Sequence, residues 1–176
     1  FTFLRSIAAT STNKIPHTYR YSYTRGALIT AIQSIKDAKG MSNYPRVWVP
    51  AFVCDTLVFL LEHYQIEYLF YSLDDNLLPD WGTLEDCDFS ENDIFVLVYY
   101  FGFPMGIPDT VAFCRDKKLL LIEDCAHSIV KTIIPGGIGT HGIGAVFGLR
   151  KIIPVPNGGF LYIKNIKSNS FIHLHS

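Results

Sequence analysis

Residues 94–100, IFVLVYY, and residues 119–128, LLLIEDCAHS, decide the fold. Both open as unbroken apolar runs containing β-branched members, the pattern of a strand covered on both faces. Between them Gly102 and Pro104 break the chain, and Pro108 sits where a first helical turn accepts proline. Residues 111–117 then read as a modest helix. Two doubly buried strands joined through a helix form the unit of a parallel sheet.

The same alternation extends upstream. Ala27, Leu28, Ala31, Ile32 and Ile35 mark one stripe of an amphipathic helix that closes near Gly40. Residues 46–52, RVWVPAF, read as a short buried strand running into a turn at Pro50. Asp55 is placed to cap a helix over residues 56–64. A β-rich stretch follows at 66–73, then an acidic segment, 74–92, with room for a short helix. Downstream, glycines crowd residues 136–148. The short apolar runs 144–147 and 159–163 have no helix between them, which predicts antiparallel or mixed pairing there. Residues 1–22 read as an irregular segment. The expected class is therefore α/β, a three-layer α-β-α arrangement on a mainly parallel, mixed sheet.

A chain of 176 residues with 49% apolar and 18% charged residues can bury a sizeable core and is neither disordered nor fibrous. With 15 basic against 16 acidic residues it offers no basic face for nucleic acid. No uncharged run reaches the roughly 20 residues a membrane-spanning helix needs. Cys54, Cys87, Cys114 and Cys125 include no close pair, which argues against a zinc site or a disulfide scaffold and for a reduced, cytoplasmic setting. Because it begins on Phe1 and trails off over residues 164–176, the chain reads as a piece of something longer.

Ligands of open α/β sheets gather at the carboxyl ends of the strands, so the polar residues placed there matter most. Asp124 directly follows a buried strand, and a carboxylate half removed from water stays ionised only beside a positive charge. Taken alone, it is as readily a turn or cap residue, and His127 as readily a structural histidine. Lys151, in FGLRKIIPVPNGG, stands among apolar neighbours, where a lysine becomes a nucleophile toward carbonyl carbon. Thr24, Arg25 and Gly26 open the first helix with backbone N–H groups, a hydroxyl and a guanidinium, suited to a phosphate. A phosphate cradle, a strand-end aspartate and a later lysine, in that order, meet the three needs of pyridoxal 5'-phosphate: a tether, a partner for the pyridine nitrogen and an amine for the aldehyde.

YTRGALITAI, VPAFVCDT, LVYYFGFPMG, LLLIEDCAHS, GIGTHGIGAVFGLRK and PVPNGGFLYI together resemble the DegT/StrS sugar-nucleotide aminotransferases. These are fold type I pyridoxal-phosphate enzymes. The resemblance runs from about residue 23 to 163 and implies a cofactor-binding major domain over that span. Residues 164–176 would then begin a C-terminal part, and the small C-terminal domain of the family would be absent. It implies that Asp124 partners the pyridine nitrogen, that Lys151 forms the internal aldimine, and that His127 lies near the cofactor's 3-oxygen. Thr24, Arg25 and Gly26 fall on the phosphate-binding turn. Cys54 stands where many members place an aromatic ring, and Gly148 where a phosphate-binding serine is common. The implied activity is amino transfer from an amino acid, glutamate, to a keto-sugar nucleotide, by a homodimer with no membrane or nucleic-acid partner. The alternative is a truncated or decayed relative that binds the cofactor weakly without turnover.

Overall fold

The computed structural model describes residues 18–128 and 136–164. Seven strands form one sheet: β1 (Thr18–Tyr21), β2 (Val47–Pro50), β3 (Tyr68–Tyr71), β4 (Ile94–Val98), β5 (Leu120–Cys125), β6 (Gly144–Gly148) and β7 (Gly159–Ile163). Their order is β1-β7-β6-β5-β4-β2-β3. The pairs from β3 through β6 are parallel, whereas β7 runs antiparallel to both β6 and β1. The mixed end of the sheet is thus where the glycine-spaced runs predict it.

Among the described residues four α-helices cover the sheet: α1 (Thr24–Ala38), α2 (Asp55–His63), α3 (Trp81–Leu84) and α4 (Ile107–Asp116). The strand period of two sorts side chains between the layers. Val47, Val49, Ile94, Val96, Ile122, Val146, Leu161 and Ile163 pack beneath α1 and α2. Trp48, Phe95, Leu97, Leu121, Ala145 and Phe147 face the other way, onto Leu84 of α3 and Cys114 of α4. Ala27, Leu28, Ala31, Ile32 and Ile35, the stripe read from the sequence, are the buried side of α1. No helix among the described residues is long and apolar enough to cross a membrane.

Three details differ from expectation. Thr18–Tyr21, inside the segment expected to be irregular, is a strand on the sheet's edge paired with β7. Residues 1–17, and those from 165 onward, lie outside the described residues. Asp55 is the first residue of α2, and Cys54 holds the cap position without a side-chain hydrogen bond to the helix. α4 begins at Ile107, four residues before the predicted start, because Pro108 fits its first turn.

One charged residue ties the amino ends of the parallel strands together. Asp93 is 4% exposed. Its Oδ2 accepts hydrogen bonds from Arg46 Nη2 (2.8 Å) and Nε (3.1 Å), Trp48 Nε1 (3.0 Å) and the Ser90 N–H (3.0 Å). Arg46 belongs to the approach to β2 and Asp93 to the approach to β4, so the pair fixes how these neighbours meet. Removing Asp93 takes away the ion partner of the partly buried Arg46 and the acceptor of the buried Trp48 Nε1 and of the Ser90 N–H. Asp93→Ala is expected to cost about 3 kcal/mol in urea unfolding. A loss below about 1 kcal/mol, the size of a surface pair, would contradict this assignment.

Candidate functional site

The sheet's strand order reverses direction between β2 and β4, since β3 lies outward of β2 while β5 and β6 follow on the other side. Such a point opens a crevice at the strands' carboxyl ends. A cleft of about 610 Å³ occupies it, lined by the loop after β2 (Phe52, Val53, Cys54) and the loop after β4 (Tyr100, Phe101). The ends of β5 and β6 add Asp124, Ala126, His127, Gly148, Arg150 and Lys151, and the start of α1 adds Tyr23, Thr24 and Arg25. That volume lies within the roughly 300–1,000 Å³ of small-molecule sites.

Asp124 lies on the cleft floor because it shares the strand face of Ile122, directly below α1. It sits in register with Val98 and Val146 of the flanking strands. Its Oδ1 accepts the Ala126 N–H at 2.9 Å. Burial raises its pKa above the ordinary carboxylate value, and the Ala126 N–H and the charge of Lys151 offset only part of that rise. The site therefore holds a carboxylate short of positive charge.

Glu123, next in sequence, shows what full satisfaction looks like. It points to the opposite face, is completely buried, and accepts hydrogen bonds from the N–H groups of Gly139 (2.7 Å), His141 (2.7 Å) and Gly142 (2.6 Å) and from Tyr99 Oη (2.7 Å). It anchors the loop that leads into β6 and stays out of the cleft.

His127 Nε2 lies 2.7 Å from Lys151 Nζ, and its Nδ1 accepts the Phe101 N–H at 3.0 Å. Burial lowers the pKa of His127, and the Lys151 charge lowers it further. The Phe101 contact depends on an unusual backbone: φ is +56° at this non-glycine residue, in the turn after β4. Strain of that kind marks places where the backbone is held for a purpose. Cys54 Sγ is 3.0 Å from Thr56 Oγ1, and this contact above all lowers its pKa.

At the other wall, two paired glycines let α1 approach the sheet. Gly148 and Gly159 are register partners across β6 and β7. A Cβ on Gly159 would lie 2.6 Å from the Tyr23 carbonyl carbon and 2.7 Å from the Thr24 nitrogen. A Cβ on Gly148 would lie 2.7 Å from Thr24 Oγ1. The hydroxyl of Thr24 thus fills the space a side chain at 148 would take, and it supplies the cleft with a donor from the helix. Its present bond, to the Phe147 carbonyl, is long at 3.4 Å.

Of the residues singled out by sequence, Thr24, Arg25, Cys54, Asp124, His127, Gly148 and Lys151 all line this cleft. Gly26 does not, and its N–H is not free: it donates to the Tyr23 carbonyl at 3.1 Å. This i→i−3 bond tightens the first turn of α1 and uses an amide that the helix would otherwise leave open. Sequence reasoning does not single out Gly159, Arg150 or Tyr100, and it notes Tyr23 only as a departure in the phosphate turn. The glycine pair in NGG was the available signal for the first; the others become visible only once the loops converge.

No protein-family model matches the chain. A curated relative, a dTDP-4-dehydro-2,3,6-trideoxy-D-glucose 4-aminotransferase of Saccharopolyspora spinosa, is 35% identical over 69 residues, which is 38% of this chain and 18% of the relative. A solved DegT DnrJ EryC1 StrS aminotransferase from Brucella abortus matches with a TM-score of 0.60 at 18% identity, over 84% of this chain and 41% of its own. The E. coli GDP-4-keto-6-deoxy-D-mannose-3-dehydratase with bound hydrated PLP matches with a TM-score of 0.67 at 17% identity, over 92% of this chain and 41% of its own.

The resemblance to sugar aminotransferases is borne out. The fold is that of fold type I pyridoxal-phosphate enzymes. The chain spans about two fifths of the length of the solved structures named above, which cover 41% of themselves in the match.

The raised pKa of Asp124 has a consequence for stability. A carboxyl that holds its proton more tightly when folded stabilises the fold below its unfolded pKa, and that contribution is lost as pH rises through the folded value. Asp124→Asn, which removes the buried charge, is expected to raise the urea midpoint at pH 7 in the absence of any added ligand. The gain should shrink as pH falls toward the ordinary carboxylate range. Equal midpoints at pH 7 would show that Asp124 is already compensated.

Proposed function

We propose that the chain is the cofactor-binding part of a pyridoxal-phosphate aminotransferase, which moves an amino group from an amino acid, glutamate, to a keto-sugar nucleotide. The observation that carries this reading is the convergence of Asp124, Lys151 and the start of α1 on one cleft. The residues fit the cofactor: an undercompensated carboxylate on the cleft floor, and a glycine-lined cradle beside the first turn of α1 and the Thr24 hydroxyl. In this reading the cofactor domain takes in β1 as well as the expected span 23–163, and residues 164–176 begin a further part. The working enzyme is a cytoplasmic homodimer.

When bound, pyridoxal phosphate supplies an electron sink for the carbanion left when the donor's α-carbon loses a proton. Asp124 would accept the pyridine nitrogen's N–H and keep that nitrogen protonated, the positive partner its burial calls for. Thr24 Oγ1 and the first amides of α1 would hold the phosphate, with the Arg25 guanidinium beside them and Gly148 leaving the room. Lys151 would be the amine that holds the cofactor and, when free, the base for the proton on the donor's α-carbon. His127 Nε2, 2.7 Å from that amine, orients it and would stand beside the cofactor. Cys54 lines the neighbouring wall with a thiol in place of an aromatic ring.

A second reading keeps binding and drops turnover. Arg150 and Lys151 are both exposed, so water reaches the reactive amine in this chain. The two readings separate in one experiment. Mixing the pure chain with pyridoxal phosphate is expected to give a visible absorbance that Lys151→Ala abolishes, and adding glutamate is expected to release 2-oxoglutarate. Absorbance without 2-oxoglutarate would select the second reading. No Lys151-dependent absorbance would end both.

A further inference from the structure

The turn after β4 is built against the preferences of its residues. Phe101 stands at φ 56°, ψ 12°, and Gly102 follows at φ 82°, so two successive residues take the left-handed conformation. At Gly102 close packing demands glycine as well, because a Cβ there would lie 2.8 Å from the His127 carbonyl oxygen. The turn is also pinned from behind: the Tyr99 N–H donates to the Asp124 carbonyl (3.0 Å) and the Gly102 N–H to the Tyr99 carbonyl (3.1 Å). Held in this way, the Phe101 N–H meets His127 Nδ1 at 3.0 Å, and the two rings stack with centroids 6.0 Å apart.

A backbone N–H can only donate, so Nδ1 is the accepting nitrogen of the His127 ring. Burial above all holds the His127 pKa below its ordinary value, and the ring is neutral at pH 7 and above. A neutral imidazole has one accepting and one donating nitrogen. Its single proton is therefore on Nε2, and Nε2 faces Lys151 Nζ at 2.7 Å. An uncharged amine meets that proton with its lone pair. An ammonium has three donors and no acceptor, and would set N–H against N–H.

The other ionisable groups of the cleft do not take over this contact. Asp124, Cys54, Tyr100, Arg25 and Arg150 line it together with Lys151. Among the described residues Lys151 nevertheless belongs to no ion pair; the two pairs present are Arg46–Asp93 and Lys118–Glu91. The Asp124 charge favours the ammonium at longer range, and the like charges of Arg25 and Arg150 disfavour it. His127 is the group within hydrogen-bond distance of Nζ, so its tautomer selects the form of the amine that fits.

We infer that the Phe101 backbone N–H is a positioning group for Lys151: it fixes His127 as the Nε2–H tautomer, which accommodates Lys151 as the uncharged amine and excludes the ammonium from the contact. The inference rests on the reading of Lys151 as the cofactor's amine and deepens it, since the uncharged form is the one that adds to a carbonyl carbon. It also gives the strained turn a task, carried out through the imidazole rather than by direct contact with the amine.

The test uses the full chain with no ligand added and reads the reactivity of its lysines. Trace labelling with acetic anhydride is followed as a function of pH by peptide mass spectrometry, with the exposed Lys39 and Lys118 as internal references. Phe101→phenyllactate keeps the ring and turns the amide N–H into an ester oxygen. It is expected to slow Lys151 labelling at pH 7 about fivefold, the size of one neutral hydrogen bond, and to move the Lys151 profile to higher pH. Phe101→Gly keeps the N–H, suits the left-handed turn and should leave the profile in place. His127→Ala should match the ester, and His127→Gln, which carries an amide donor toward Nζ, should recover part of the loss. Equal profiles for the wild-type chain and Phe101→phenyllactate overturn the inference, as does histidine nitrogen NMR that finds the His127 proton on Nδ1. A loss in Phe101→Gly as large as in the ester also overturns it, by giving the effect to the ring. A profile that depends on the Phe101 N–H, with no pyridoxal phosphate adduct on Lys151, supports the inference and faults the proposed function; the adduct with an unmoved profile does the reverse.

Discussion

A carboxylate taken partly out of water at the end of a buried strand constrains everything around it. Asp124 has one hydrogen bond to its own turn and the charge of Lys151, and together these do not offset the rise in pKa that burial causes. A structural aspartate is normally better provided for: Asp93 gathers Arg46, Trp48 Nε1 and a backbone N–H, and Glu123 gathers three N–H groups and a tyrosine hydroxyl. The contrast is within one molecule and one sheet. An undersupplied carboxylate facing a cleft is the signature of a group whose partner is a ligand.

The sheet makes this arrangement possible by geometry alone. The strand period sends Glu123 and Asp124 to opposite faces, so the first fastens the loop before β6 while the second faces the cleft. The order β5-β6-β7 then brings Lys151, which follows β6, to the edge where Asp124 lies, next to last in β5. The Gly148–Gly159 pair allows α1 to rest on that same edge. Three chemical groups spread over more than a hundred residues of sequence share a cleft because one sheet carries all of them.

Much of this was legible in the sequence, and the reasons differ by element. β4 and β5 are covered on both faces, so their apolar runs announce them. α1 was legible from its stripe, and Asp124 and Lys151 from their unusual apolar settings. β1 was not legible: an edge strand of four residues, none of them buried, has no alternation to read, and its partner lies some 140 residues away. The cap of α2 was misassigned because Asp55 is a good cap residue by type, while the extended backbone at Cys54 decided the matter. Gly26 was drawn into the phosphate turn by its neighbours, although its amide is already used within the helix. Tyr23 and Arg150 carry no motif of their own; they meet in the cleft only after β6, β7 and the start of α1 have packed together.

The central claim is that one particular amine, Lys151 Nζ, which lines the same cleft as the floor carboxylate, is the covalent anchor. The direct measurement is borohydride reduction of the chain incubated with pyridoxal phosphate, followed by peptide mass spectrometry. The account predicts a reduced adduct concentrated on Lys151. An adduct spread evenly over the surface lysines, or absent from Lys151, would contradict it.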